Sequence, residues 1–253
     1  MGGRRLATPS AALSRINGRY GAFPMGTEAT ALPTTTTDAR ALFIRRTYLH
    51  LAGAILACAV VATLLLRWSG ARDLSETMTR GYNWLIVLAL FFGASTLADR
   101  WARSATTPSR QYLGLGLFVV AQAIVLLPIL LIATRYSTPD VLPTAGILTL
   151  GLFVGLTVVA FLSGTDFSFL RGALVLGGFL ALGLIGVGII FGLNLGVWFA
   201  VALVAYAGAA ILYQTSAIIR DYRTDQYVAA ALGLFSAIAL LFWNILNIVQ
   251  SRR

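Results

Sequence analysis

The chain has 253 residues, of which 58% are hydrophobic and only 11% are charged, and its formal net charge is +10. Soluble domains carry about a quarter charged residues, so this composition excludes an ordinary soluble globular domain. All 19 basic residues are arginines, and they lie in polar segments between long apolar runs, not on the basic face of a nucleic-acid-binding domain. The sequence therefore predicts an integral membrane protein with no nucleic-acid partner.

Residues 1–40 are polar and include four consecutive threonines, from Thr34 to Thr37. They offer little apolar surface for a core, so we expect a disordered polar tail. Residues 41–253 form the predicted transmembrane domain. The tail contains neither the apolar stretch of a signal peptide nor an evident organellar address, which favours a bacterial inner membrane.

The transmembrane domain contains seven runs of about 20 mostly apolar residues, the length that a helix needs to cross a bilayer. These runs are residues 47–66, 82–98, 112–133, 143–163, 169–191, 195–215 and 228–249. Gly192, Leu193 and Asn194 alone separate the fifth run from the sixth, and we interpret them as a tight turn because the two runs together far exceed one span. The predicted fold is an all-α bundle of seven transmembrane helices.

Arginines near the ends of the spans predict the orientation, because cytoplasmic loops carry an excess of basic residues. If the N-terminus is cytoplasmic, thirteen of the 19 arginines lie inside and six lie outside. We therefore expect a cytoplasmic N-terminus and an external C-terminus.

Small residues recur at four-residue spacing in the fourth to sixth spans. They are Gly151 and Gly155; Ala173, Gly177 and Ala181; and Gly188, Gly192 and Gly196. Such steps let helix backbones approach closely. We expect them to pack helices within the bundle in preference to joining two copies.

Residues suited to catalysis are scarce. The single histidine, His50, lies near the start of the first span beside two arginines, and the single cysteine, Cys58, lies within its apolar part. No nucleophile, acid–base pair or cluster of metal ligands is visible, so we expect no enzyme activity, no metal site and no cofactor.

No Asp, Glu or Arg lies in the central part of any span, so a transport pathway would have to use neutral polar groups. The available groups are Gln122, Tyr213, Gln214, Thr215, Ser236, Asn244 and Asn247. Four residues of the last span share one helix face because they follow 3-4-3 spacing. They are Ala237, Leu240, Asn244 and Asn247. This face is typical of hydrogen bonding between helices and equally of a polar pathway.

Four segments between residues 40 and 249 resemble the Bax-inhibitor-motif (TMBIM) family in order and spacing. They are LFIRRTYLHLAGAIL, SGTDFSFLRGAL, ILYQTSAII and VAAALGLFSAIALLFWNIL. The more specific features are Asp166-Phe167 before the fifth span and Tyr213-Gln214-Thr215 at the end of the sixth. The resemblance implies a seven-helix bundle whose last helix is central.

The family resemblance also implies activities: a passive, pH-sensitive calcium leak, protection from cell-death stimuli in eukaryotes, and modulation of a membrane protease in bacteria. The calcium leak depends on two facing aspartates in the sixth and seventh spans. The matching positions here are Gln214 and Ala237. Neither side chain titrates, so the pH-sensitive latch cannot operate through this pair.

Two hypotheses follow from the sequence. The first is a Bax-inhibitor-like protein in the lipid bilayer that has a weak leak for calcium or another cation and lacks the two-aspartate switch. Its pore or latch positions would be Tyr213, Gln214, Thr215, Ser236, Ala237 and Asn244. The second is an interaction protein that modulates a membrane-embedded protease or quality-control complex, with the tail as a flexible handle.

Overall fold

The computed structural model describes residues 36–104, 108–193 and 195–252, and within these ranges it is entirely helical between short turns. The helices are α1 (Thr36–Arg67), α2 (Ala71–Thr79), α3 (Asn83–Ala102), α4 (Pro108–Arg135), α5 (Val141–Leu162), α6 (Leu170–Phe191), α7 (Gly196–Arg220) and α8 (Tyr227–Ser251). Seven of them, all except α2, are long and apolar enough to span a membrane. The predicted all-α bundle of seven spans is therefore confirmed.

The short helix α2 is not among the predicted elements. It has nine residues and carries Arg72, Asp73 and Glu76, so it is too short and too polar to cross a bilayer. Its apolar side is nevertheless anchored, because Ala71 and Met78 are buried. It is an amphipathic helix between the first two spans.

The first helix begins earlier than the apolar run predicts. Residues 36–40, which we assigned to the polar tail, belong to α1, whereas the rest of the predicted tail lies outside the described residues. Arg40 accounts for part of this extension, because its Nε donates to the carbonyl of Ile219 at 3.0 Å and its Nη1 donates to the carbonyl of Tyr222. The start of α1 is thus tied to the C-terminal end of α7, where carbonyls lack helical partners.

The last helix, α8, is at the centre of the bundle. It packs against α1, α3, α4, α5 and α7. Burial covers 72% of its most apolar 18-residue stretch, against 11% for both α3 and α6. The predicted central position of the last span is therefore confirmed, and α6 lies at the periphery with α7 as its main neighbour.

The turn between α6 and α7 is where the sequence predicts it. α6 ends at Phe191, and Gly192 follows with φ of 65°, a left-handed conformation that favours glycine. The amide of Gly192 donates to the carbonyl of Gly188, as does the amide of Leu193 at 2.8 Å.

Only some of the predicted small-residue steps lie against a neighbouring helix. A Cβ added at Gly177 would lie 3.2 Å from the ring of Tyr206, so this glycine does bring α6 against α7. By contrast, Gly151 and Gly155 are exposed, and a Cβ at either position would meet nothing within 4 Å. The expectation that this pair packs helices inside the bundle is wrong. The closest approach is instead made by Gly114, which brings α4 against the backbone of α3.

Candidate functional site: a cavity of transmembrane length

A cavity of about 1900 Å³ lies between α3, α4, α6, α7 and α8. Along α8 its lining runs from Leu232 to Ser251, which is about 29 Å at 1.5 Å per residue. This length is close to the thickness of the hydrocarbon core of a bilayer, about 30 Å. The cavity therefore extends along nearly the whole span.

Most of the predicted pore or latch positions line this cavity. They are Tyr213, Gln214, Ser236, Ala237 and Asn244, and the neighbouring polar residues Gln122 and Asn247 line it as well. The shared face predicted for the last span is also present, because all four of its residues contribute to the lining.

Thr215 is the exception among the predicted positions. A helix turns by about 100° per residue, so Thr215 lies about 200° around α7 from Tyr213, and it does not line the cavity as Tyr213 and Gln214 do. It is fully buried, and its hydroxyl lies near that of Tyr48 on α1, which is also close to Thr157 on α5. None of the three hydroxyls forms a hydrogen bond of ordinary geometry to the described residues. A pore-lining role for Thr215 therefore does not fit its position.

The side chain of Gln214 on α7 packs against α8. It occupies the space beside Gly233, where an added Cβ would lie 2.9 Å from the Gln214 Oε1 atom. The hydroxyl of Tyr222 donates to the same oxygen at 3.4 Å. Burial raises the pKa of Tyr222 above its ordinary value, so this hydroxyl remains a neutral donor around pH 7. Ala237 lies one turn beyond Gly233 on the same face.

The polar groups of α8 are satisfied mainly by their own helix. The Nδ2 atom of Asn244 donates to the carbonyl of Leu240 at 2.8 Å, and the hydroxyl of Ser236 donates to the carbonyl of Gly233 at 2.8 Å. These bonds do not join α8 to another helix. Gln250, near the end of α8, differs, because its Nε2 atom donates to the carbonyl of Ile129 on α4 at 3.3 Å. At Ser236 and Asn244 the polar face of α8 is therefore a wall of the cavity, and hydrogen bonding between helices does not explain it.

Three arginines and one aspartate line one end of the cavity: Arg100, Arg103, Arg171 and Asp99. We call this end of the cavity the arginine end. Arg103 and Asp99 form an ion pair at 2.8 Å, and the guanidinium of Arg103 lies 5.7 Å from the ring centre of Tyr222. The hydrogen bond that Arg103 donates to the Asp99 carboxylate raises the pKa of Arg103 above its ordinary value. Arg100 and Arg171 also line this end, and neither forms an ion pair or side-chain hydrogen bond within the described ranges.

Sequence reasoning missed the arginine end. Asp99, Arg100 and Arg103 lie just beyond the second apolar run, and Arg171 lies at the start of the fifth. They therefore belong to two separate segments, the end of α3 and the start of α6. Their common position at one membrane surface follows from the alternating directions of the spans, but that alternation does not predict that they line a single cavity. The opposite end is bordered by Trp84 of α3 and Trp243 of α8, which stack with ring centres 5.9 Å apart.

Residues 40–253 match the family described as inhibitor of apoptosis-promoting Bax1. The chain belongs to this Bax inhibitor family. It is also 30% identical over 195 residues to an uncharacterized protein of Pseudomonas aeruginosa, in an alignment that covers 73% of this chain and 83% of the relative. The match includes all seven membrane-spanning helices.

In this Bax inhibitor family member, the motif residues Asp166 and Phe167 lie in the turn before α6, away from the cavity. The amide of Phe167 donates to the hydroxyl of Ser216 on α7 at 3.1 Å, and Arg220 donates to the carbonyl of Gly164. Asp166 is exposed and accepts a bond from the amide of Ser168 at 2.9 Å, which holds the pKa of its carboxyl below the ordinary value. The motif thus fixes the turn before α6 to α7.

The cavity of this family member does not fit a resident calcium ion. Ca²⁺ takes six to eight oxygen ligands and usually several carboxylates. Asp99 is the sole carboxylate among the described residues that line the cavity, and it is paired with Arg103. No group of three or more His, Cys, Asp or Glu side chains within the described ranges could hold a metal. A cation in this cavity would be cargo.

Proposed function

We propose that this Bax inhibitor family member provides a weak passive leak for calcium or another small cation that does not switch with pH. The observation that carries the proposal is the cavity of transmembrane length with Gln214 and Ala237 on its wall. Neutral amides and hydroxyls of α7 and α8 supply oxygen atoms along the route. Neither of the two family positions contains a titratable group.

The charge at the arginine end explains why the leak would be weak. Three arginines and one aspartate give this end a formal charge of +2. A positive potential at the mouth of a low-dielectric cavity lowers the local concentration of cations and therefore their rate of entry. We accordingly expect slow calcium flux.

The test is calcium flux into phosphatidylcholine vesicles that contain the purified protein and a calcium-sensitive dye. Between about pH 6 and pH 8, where a coupled carboxylate pair titrates, the wild-type flux should vary little. The double variant Gln214→Asp/Ala237→Asp should acquire a steep pH dependence. It places two carboxylates on the wall of the cavity, and these would share a proton.

The single variants Gln214→Asp and Ala237→Asp are the matched controls, because each adds one carboxylate without a partner. Their flux should change over a pH range at least one unit different from that of the double variant. A steep pH switch in the wild type would contradict the reasoning about the site. Flux no greater than that of protein-free vesicles in every variant would refute the leak itself.

A second candidate function is the modulation of a membrane-embedded protease or quality-control complex. The structural support is the peripheral helix α6, whose large apolar side chains are widely exposed, for example Phe179 at 72%. Deleting residues 1–39 tests the tail as a handle: the half-life of the protein in cells should lengthen and a co-purifying protease should be lost. Unchanged turnover and unchanged partners would rule this function out.

We also infer the setting of these activities. The bacterial inner membrane, a cytoplasmic N-terminus and an external C-terminus remain proposals from the tail composition and the arginine distribution. Labelling of single cysteines introduced at Ser109, in the first turn of α4, and at Ser137, in the loop after α4, would test the orientation, because the two positions lie at opposite ends of one span. We propose no enzyme activity for the chain.

A further inference from the structure

We propose that an anionic glycerophospholipid occupies the opening between α3 and α6, with its phosphate at Arg100 and Arg171 and an acyl chain along the apolar wall of α6. The inference does not depend on the proposed leak, because it concerns an equilibrium occupant of the cavity and not ion movement.

The cavity opens sideways toward the bilayer. Among the residues that line it, Phe92 of α3 is 45% exposed, and Val175 and Phe179 of α6 are 56% and 72% exposed. These side chains lie within membrane-spanning helices, so the surface that they share with the cavity faces hydrocarbon. An acyl chain can therefore enter from the side without crossing a polar barrier.

The inner wall of α6 suits an acyl chain. Leu182, Ile185 and Ile189 line the cavity at three- or four-residue steps, which places them on one face of the helix. A volume of about 1900 Å³ also exceeds the roughly 300–1,000 Å³ of sites that enclose drug-sized molecules. An elongated amphipathic molecule matches this length and lining better than a compact solute.

The arginine end supplies the complementary charge. Arg103 is already paired with Asp99, whereas Arg100 and Arg171 have no ion pair or side-chain hydrogen bond within the described ranges. Guanidinium groups bind phosphate oxygens in a bidentate manner. Arg100 is near the end of α3 and Arg171 is near the start of α6, so both lie at the level of the headgroups. Basic pockets between spans at this level are suited to anionic lipid headgroups.

The test is native mass spectrometry of the detergent-solubilised full chain, with phosphatidylglycerol and phosphatidylcholine supplied at equal concentrations. The wild type should retain phosphatidylglycerol selectively. Arg100→Gln/Arg171→Gln should weaken that retention about 30-fold, or about 5-fold for each arginine removed. Arg45→Gln/Arg110→Gln is the matched control, because it removes the same charge from exposed residues that do not line the cavity.

Equal retention of the two lipids by the wild type would overturn the proposal, as would equal losses in the two double variants. Displacement of phosphatidylglycerol by a tenfold excess of inorganic phosphate would overturn the assignment to a lipid. A variant with both arginines intact gives an independent readout. Ala181→Phe would fill the cavity beside α6 and should also weaken retention; unchanged retention would place the lipid outside the cavity.

Discussion

The contact between α3 and α4 provides a sharp test of the packing, through the substitution Gly114→Ala. A Cβ at Gly114 would lie 2.5 Å from the carbonyl oxygen of Ala98 and 2.9 Å from the amide nitrogen of Ala102. Ordinary carbon–oxygen contacts between helices are about 3.3–3.6 Å, so the helices would have to separate locally by roughly 1 Å. Both clashing atoms belong to the backbone and neither can rotate away.

The expected cost follows from this overpacking. An extra methyl group in a well-packed region destabilises a protein by about 1–3 kcal/mol. The gain from replacing a helical glycine with alanine offsets about 0.5–1 kcal/mol of this cost. The matched control is Gly116→Ala, because Gly116 is exposed and a Cβ there would meet nothing within 4 Å. It should be neutral or slightly stabilising.

The assay is the free energy of unfolding of each variant, from titration with a denaturing detergent in mixed micelles. Gly114→Ala should be less stable than Gly116→Ala by about 2 kcal/mol, with a lower midpoint. Identical midpoints for the two variants would show that α3 and α4 are not in the close contact described, and would refute the reasoning.

Three further predictions concern the anchors of α7. Arg40→Gln should lower the free energy of unfolding by about 1–3 kcal/mol, because it removes the guanidinium that donates to the carbonyl of Ile219; the same titration measures it. Ser216→Ala should cost about 0.5–1.5 kcal/mol, since the amide of Phe167 loses its acceptor, and hydrogen exchange at that amide should rise. The carboxyl of Asp166 has a lowered pKa in the folded state, so its stabilising contribution is present above the ordinary pKa and is lost as the pH falls through the folded-state value. Acid titration of Asp166→Asn against the wild type measures this contribution.

These three predictions have separate controls. Arg45→Gln removes an exposed arginine from the same helix as Arg40 and should leave stability unchanged; equal effects would mean that net charge, not the anchor, is responsible. If the Phe167 amide exchanges its hydrogen at the same rate in Ser216→Ala as in the wild type, the described hydrogen bond is absent. A wild type and an Asp166→Asn variant that lose stability in parallel below pH 4 would show that this carboxyl is not stabilised by folding.

Hydropathy predicts the spans of this chain well, because a bilayer imposes a minimum length on every crossing helix. The shared face of α8 is equally predictable, since 3-4-3 spacing fixes direction within one helix. Short elements follow no such rule. The nine residues of α2 carry too little apolar surface to stand out, and their burial depends on contacts with the neighbouring helices α1, α3 and α4.

Contacts between helices are less predictable from this sequence. Small-residue spacing shows that another helix could approach the backbone closely at Gly151 and Gly155. It does not show whether such a helix is present, and a Cβ added at either glycine would meet no atom within 4 Å. Gly114 has no conspicuous pattern and yet makes the closest contact. The arginine end was missed for the same reason, because Arg100 and Arg171 line one cavity only through the tertiary arrangement of α3 and α6.

Because α6 lies at the periphery and packs mainly on α7, its position should respond to the thickness of the host membrane. α6 packs mainly on α7, through Tyr206, whose hydroxyl donates to the carbonyl of Leu174 at 3.0 Å. At 22 residues, α6 is about 33 Å long and must tilt to match a thinner bilayer. α8 is held by contacts with five other helices, so we expect it to tilt less than α6. A change in membrane thickness would therefore alter mainly the distance between α6 and α3. Bilayer thickness would then set the width of the opening, with the centre of the bundle unchanged.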